Sequence, residues 1–133
     1  MTRIQQLPIL AASACVRRGD EVLLVQRGKQ PGLGKWAFPG GKVRFGETTA
    51  QAALRELTEE CRITATIGPM LGLYEVIHAD AHFAIACYFA SNPMGILQAA
   101  SDAADARWVN MSKVSELPLA SNIAAAFAAL TKI

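Results

Sequence analysis

The chain lacks the charge to hold a polyanion by bulk attraction. Its 13 Lys and Arg against 11 Asp and Glu leave a formal charge of +2. The basic residues are scattered, so no nucleic-acid partner and no membrane-surface partner is expected. No apolar run approaches the roughly 20 residues a spanning helix needs. Cysteine is scarce: the 3 present, Cys15, Cys61 and Cys87, are odd in number and far apart. That argues against a disulfide framework and against a zinc site with close ligand pairs. Buried reduced thiols in a cytoplasmic protein are the expectation. Residues 7–15, LPILAASAC, faintly resemble a lipoprotein cleavage site. The run is short, contains Pro8, follows Gln5 and Gln6, and has only Arg3 before it, so secretion is not expected.

What is present suits a folded domain. The 133 residues are 52% hydrophobic and 18% charged, which argues against disorder. A chain this size typically buries roughly two-thirds of its unfolded surface. With no repeat and no linker, one domain over residues 1–133 is expected.

Residues 9–17 and 22–27 are apolar and β-prone, joined by the hairpin signal Arg18-Gly19-Asp20-Glu21. Residues 28–35, GKQPGLGK, read as a loop. Trp36-Ala37-Phe38 reads as a short strand, with Trp36 as core, and Pro39-Gly40-Gly41 as a sharp turn. A helix is expected from Thr48 to about Cys61, with Thr48 and Gln51 as a capping box. Ala50, Ala53, Leu54, Leu57 and Cys61 would form its apolar stripe. Strands over 63–78 and 82–91 flank a turn. A loop over 92–104, a strand over 105–110, a helical turn over 112–117 and a helix from Ser121 or Asn122 through Leu130 complete the chain. The last helix would turn Ile123, Phe127 and Leu130 inward. The fold class is therefore α/β or α+β, a mixed sheet with helices packed on it.

Glu56, Glu59 and Glu60 stand near the end of the expected helix. At about 100° per residue they share one sector, separate from the apolar stripe, and are expected to face away from the core. Like charges at i,i+4 cost a few tenths of a kcal/mol. The macrodipole disfavours anions in the last turns by about 0.3–1 kcal/mol each. Arg55 pairs best with Glu59, which would leave Glu56 and Glu60 undercompensated. Hard divalent ions take carboxylate and phosphate oxygens, so a metal site is one reading and a solvated acidic face the other. The glycines at 40, 41 and 46 lead into this helix and would let backbone approach a ligand closely.

Gly41, Glu47, Arg55, Glu56, Leu57, Glu59, Glu60 and Ile63 together resemble the signature of the Nudix hydrolases, at its spacing. Arg62 departs from it, standing where the family has glycine after the helix. The resemblance implies a Nudix-type α/β/α sandwich with a central mixed sheet. It implies Mg²⁺ or Mn²⁺ held by Glu56, Glu59 and Glu60 with a backbone carbonyl of Gly40 or Gly41. It makes Glu56, Arg55 and Glu60 the catalytic set, with Arg55 orienting the glutamates. Glu47 and Gly41 take structural roles, Glu47 bracing the loop against the helix. The reaction implied is hydrolysis of a nucleoside diphosphate linked to another group. The water's proton would go to Glu56 or Glu60, or to a distant residue, for which Asp102, Asp105 and Glu75 are candidates.

The flanking residues, LLVQRGKQPGLGKWAFPGGKVRFGET and later His82-Phe83, are similar to bacterial members grouped with ADP-ribose pyrophosphatases. ADP-ribose or another ADP-sugar is the expected substrate, giving AMP and a sugar phosphate. A (d)NTP pyrophosphohydrolase is the alternative, and a non-catalytic nucleotide sensor the third reading. Arg27, Lys42 and His82 are the expected substrate contacts. Arg27 reads equally as a solvated strand-end arginine, and His78 and His82 as polar turn residues. The expected partner is a small-molecule nucleotide, with a homodimer left open.

Overall fold

The computed structural model describes residues 6–30 and 32–130. Arg3, Gln5 and Pro31, and residues 131–133 of the expected domain, lie outside the described residues. β1 (Ile9–Arg18) and β2 (Glu21–Arg27) form the expected hairpin, closed by Gly19-Asp20 with Gly19 at φ 57°. There follow β3 (Trp36–Ala37), β4 (Gly40–Lys42), α1 (Thr49–Cys61), β5 (Thr64–Ile77) and β6 (His82–Met94). β7 (Ala103–Asn110), a 3₁₀ turn (Met111–Glu116) and α2 (Ile123–Leu130) complete the order.

The strands make a 7-stranded mixed sheet ordered β3-β2-β1-β6-β5, with β4 on β1 and β7 on β2. β1 runs parallel to β6 from Ile9–Phe83 to Val16–Ala90 and antiparallel to β4. Such a central strand is covered on both faces, which explains its nearly continuous apolar sequence. Ala12, Ala14 and Val16 pack beneath α1 with Ala53, Leu57 and Cys61. Cys15 packs on the opposite face with Trp36, Phe38, Cys87 and the α2 residues Ile123, Ala126 and Leu130. The result is the expected α/β/α layering. All three cysteines are free and buried, and burial raises each thiol pKa, that of Cys61 to about 12.

Three local expectations are corrected. Pro39-Gly40-Gly41 is not a sharp turn: Gly40 and Gly41 are strand β4, paired with Ser13 and Ala12. Their glycine character answers to close approach rather than to a positive φ. A Cβ on Gly40 would lie 2.5 Å from the Ala12 carbonyl oxygen and 2.7 Å from Ser13 Cβ. The buried stripe of α1 is Ala52, Ala53, Leu57, Glu60 and Cys61, while Ala50 and Leu54 are half-buried. β6 runs on to Met94, into the segment expected to be loop.

Both ends of α1 are tied. The Thr48 hydroxyl accepts the Gln51 N–H at 3.1 Å, and the Gln51 side chain accepts the Thr48 N–H at 2.9 Å. At the other end Arg62 takes the left-handed conformation, φ 61° and ψ 28°, and its N–H donates to the Thr58 carbonyl. The Ala100 and Gln98 N–H groups donate to the Glu60 and Cys61 carbonyls. The helix therefore ends as a glycine cap would end it, with a side chain carrying the steric cost. Arg62→Gly should raise stability in urea denaturation by about 0.5–1 kcal/mol, since relief of about 1–2 kcal/mol of left-handed strain outweighs the lost charge at the helix end. Unchanged or lower stability would contradict this account of the cap.

Candidate active site

Arg55 binds three carboxylates and a backbone carbonyl. Its Nε and Nη2 donate to Glu47 Oε2 and Oε1 at 2.7 and 2.9 Å, a bidentate pair. Nη1 donates to Glu56 at 2.9 Å and to Glu59 at 3.2 Å, and Nη2 also reaches the Lys42 carbonyl at 3.0 Å. The bonds from Arg55, with the Arg44 N–H, hold Glu47 at a pKa of about 2. The same contact with Glu47 raises the Arg55 pKa. Glu56 is thus compensated, contrary to the expectation that pairing of Arg55 with Glu59 would leave it undercompensated.

Glu60 is the second correction. It does not face away from the core: it is only 8% exposed. Its Oε1 accepts the Gly40 N–H at 2.8 Å. Burial pushes its pKa up to about 7, against the Gly40 bond, with Glu56 and Asp102 adding repulsion and Arg27 opposing it. Gly41 lies against the neighbouring carboxylate, and a Cβ there would stand 2.5 Å from Glu56 Oε1.

These groups open on a cleft of about 690 Å³, within the roughly 300–1,000 Å³ of small-molecule sites. Glu56, Glu60, Gly40, Gly41, Arg27 and Lys42 line it, as does Asp102. Lys29 and Lys35, which the sequence reading passed over, add two more cations, Lys29 paired with Asp102 at 3.0 Å. Asp102 is positioned by its backbone, whose carbonyl accepts the Gly28 N–H at 3.1 Å.

Other expected residues lie elsewhere. Glu59 is not among the lining residues; its carboxylate meets Arg44 at 3.4 Å as well as Arg55. His82 also lies off the lining, 3.4 Å from Glu75, while His78 lines the cleft in its place. Asp105 is bonded to Arg107 at 2.9 Å. Of the three distant base candidates, only Asp102 reaches the cleft. Ser13 was missed as well. Its hydroxyl is buried with only the Cys87 thiol, on the neighbouring strand, as a weak partner, and the residue lines the cleft. A lone serine inside the apolar run ILAASACV was the signal available.

Among the described residues no three His, Cys, Asp or Glu side chains stand together as a ready metal cluster. Glu56 and Glu60 nonetheless present hard oxygen donors to one cleft, where they repel each other and where Gly41 leaves room for the Glu56 carboxylate. That donor chemistry fits a divalent cation.

A model of the NUDIX domain matches residues 7–130. The chain belongs to the Nudix family. It is 28% identical over 117 residues to an ADP-ribose pyrophosphatase of Methanocaldococcus jannaschii, covering 86% of this chain and 69% of that protein. It is 38% identical over 80 residues to the CTP pyrophosphohydrolase of Escherichia coli, covering 55% of this chain and 59% of the relative. The crystal structure of a MutT Nudix hydrolase from Burkholderia pseudomallei superposes with a TM-score of 0.84 at 26% identity, covering 94% of this chain and 99% of that one. The chain is a Nudix pyrophosphohydrolase by class. Nudix hydrolases generally use divalent metal ions and act on small-molecule nucleotides. No helix among the described residues is long and apolar enough to cross a membrane.

The raised Glu60 pKa has a sign that can be checked. Between its ordinary value of 4.5 and about 7 the folded state binds a proton the unfolded state has lost. Stability therefore falls as pH rises through that window. In metal-free buffer, Glu60→Gln should be more stable than the parent at pH 8, on the order of 2 kcal/mol. Denaturation at pH 5 should show that advantage gone. A variant less stable than the parent at both pH values would refute the buried-carboxylate reading.

Proposed function

We propose that this chain hydrolyses the pyrophosphate of a nucleoside diphosphate-linked compound, with ADP-ribose or another ADP-sugar as the first substrate to test. The observation that carries the reading is the meeting of Glu56, Glu60 and the Gly40-Gly41 backbone in one cleft with Arg27 and Lys42. Mg²⁺ or Mn²⁺ would be held by Glu56 and Glu60 with a carbonyl of Gly40 or Gly41, and by Glu59 if it leaves Arg44. Bound there, such an ion supplies charge neutralisation at the pyrophosphate and a more acidic attacking water. Arg55 holds Glu56 in place, and Glu47 fixes Arg55. Arg27 and Lys42 would bind phosphate oxygens. Glu56, Glu60 or Asp102 takes the water's proton. The products from ADP-ribose are AMP and ribose 5-phosphate. The likeness to an ADP-ribose pyrophosphatase supports this choice.

A second reading, (d)NTP pyrophosphohydrolase, is favoured by the two further cations, Lys29 and Lys35, which suit a third phosphate, and by the likeness to a CTP pyrophosphohydrolase. The assay that decides is product release from ADP-ribose, CTP and a dNTP panel with Mg²⁺ or with EDTA. ADP-ribose should turn over best and only with the cation. Glu60→Gln should lower kcat by about 10²-fold or more while remaining folded. Nucleotide binding with no turnover of any substrate would make the domain a sensor and sink the hydrolase reading.

A further inference from the structure

Glu59 has two cationic partners, and they hold it in different ways. Arg55 is largely enclosed, its side chain 17% exposed, and it is shared among Glu47, Glu56 and the Lys42 carbonyl as well. Its Nη1 gives Glu59 one bond at 3.2 Å. Arg44 stands in water. Its side chain is 66% exposed, and its Nη2 meets Glu59 Oε1 at 3.4 Å. That is the one side-chain hydrogen bond of Arg44 among the described residues.

The base of the Arg44 side chain is fixed although its tip is free. Its backbone N–H donates to Glu47 Oε1 at 3.0 Å, on the same carboxylate that Arg55 clamps. β4, paired to β1, ends two residues earlier at Lys42. Arg44 therefore reaches across to the helix from a held loop. Glu59 is the most solvated carboxylate of its group, with a side chain 38% exposed against 15% for Glu56. Solvated ion pairs of this kind are weak, worth a factor of about 1.4 to 5 in an equilibrium. The contact is strong enough to occupy Glu59 and weak enough to be displaced by a divalent charge. Removing Arg55 from Glu59 would disturb the whole loop, whereas removing Arg44 breaks one exposed bond.

We propose that Arg44 is a stand-in for the divalent cation: it occupies Glu59 in the cation-free protein and yields it when the cation arrives. This deepens the proposed function, and rests on it for the cation itself. Arg44 acts through Glu59, so it is a positioning residue. In the cation-free state it offsets the crowding of Glu56, Glu59 and Glu60 on one helix end. The consequence is that Arg44 competes with the cation and lowers its affinity. It also accounts for Glu59 lying off the cleft while Glu56 and Glu60 line it.

Mn²⁺ binding to four proteins tests this: the parent, Arg44→Ala, Glu59→Gln and the double variant. Free Mn²⁺ is read by its spin-resonance signal, with no substrate present. Arg44→Ala should bind Mn²⁺ about threefold more tightly than the parent, within the range an exposed ion pair spans. In the Glu59→Gln background the same substitution should change affinity by less than about 1.5-fold, because no carboxylate is then left for Arg44 to hold. Unchanged or weaker binding by Arg44→Ala would overturn the proposal. So would an equal gain in both backgrounds, since the effect would then be that of a lost positive charge and not of a freed Glu59. A parent protein that binds no Mn²⁺ at millimolar concentration would remove the metal reading and this inference together. Parent binding that is indifferent to Arg44 would remove the inference alone.

Discussion

The Arg55 guanidinium is the contact on which the rest of the site depends. Three of its hydrogen bonds tie α1 to two other places, Glu47 in the loop and Lys42 at the end of β4, and two more hold Glu56 and Glu59 on its own helix. The Gly40 N–H on Glu60 and the Arg44 side chain on Glu59 add one further link each from the strand and the loop to the helix. The bidentate Glu47 contact resists rotation as well as separation, which a lysine at this place would not do. With the loop thus held, β4 lies along β1 and brings Gly40 and Gly41 against Glu60 and Glu56.

That placement has a cost, and the cost is the site's chemistry. Glu60 is sealed beneath β4 and receives one backbone N–H, which does not offset its loss of water. Its neighbours Glu56 and Asp102 add repulsion. A protein selected only for stability would not put a carboxylate there. A carboxylate that is short of partners inside a cleft with Arg27 and Lys42 at its rim is suited to a charged ligand arriving from outside. Stability and activity should therefore move in opposite directions at this one residue.

Local patterns in the chain announce local structure well. Thr48 with Gln51 marks the start of α1, and Gly19-Asp20 marks the hairpin. The spacing from Gly41 to Ile63 identifies the site region. What the sequence does not announce is whatever depends on a distant segment. Gly40 and Gly41 read as a turn because glycine usually signals one, yet their smallness answers to Ser13 and to Glu56. Glu60 reads as solvent-facing on a helical wheel, and is buried because β4 and the segment at Ala100 close over it. Glu59 matches the family spacing but is engaged by Arg44, fifteen residues earlier. His82 reads as the substrate contact of the turn, yet it faces Glu75 and His78 is the histidine that lines the cleft. Arg62, the one departure from the family pattern, adopts the left-handed conformation the missing glycine would have had.

The central claim is that Arg55 holds the loop and β4 in register with the carboxylates of α1. Amide hydrogen exchange of Arg55→Gln against the parent protein tests it most directly. Protection of the Arg44 and Glu47 amides, which bond within the loop, and of Gly40, which bonds to Glu60, should fall by tenfold or more. The amides of β6, paired to β1 and β5, should be unchanged. Equal protection at all of these positions in the two proteins would contradict the account.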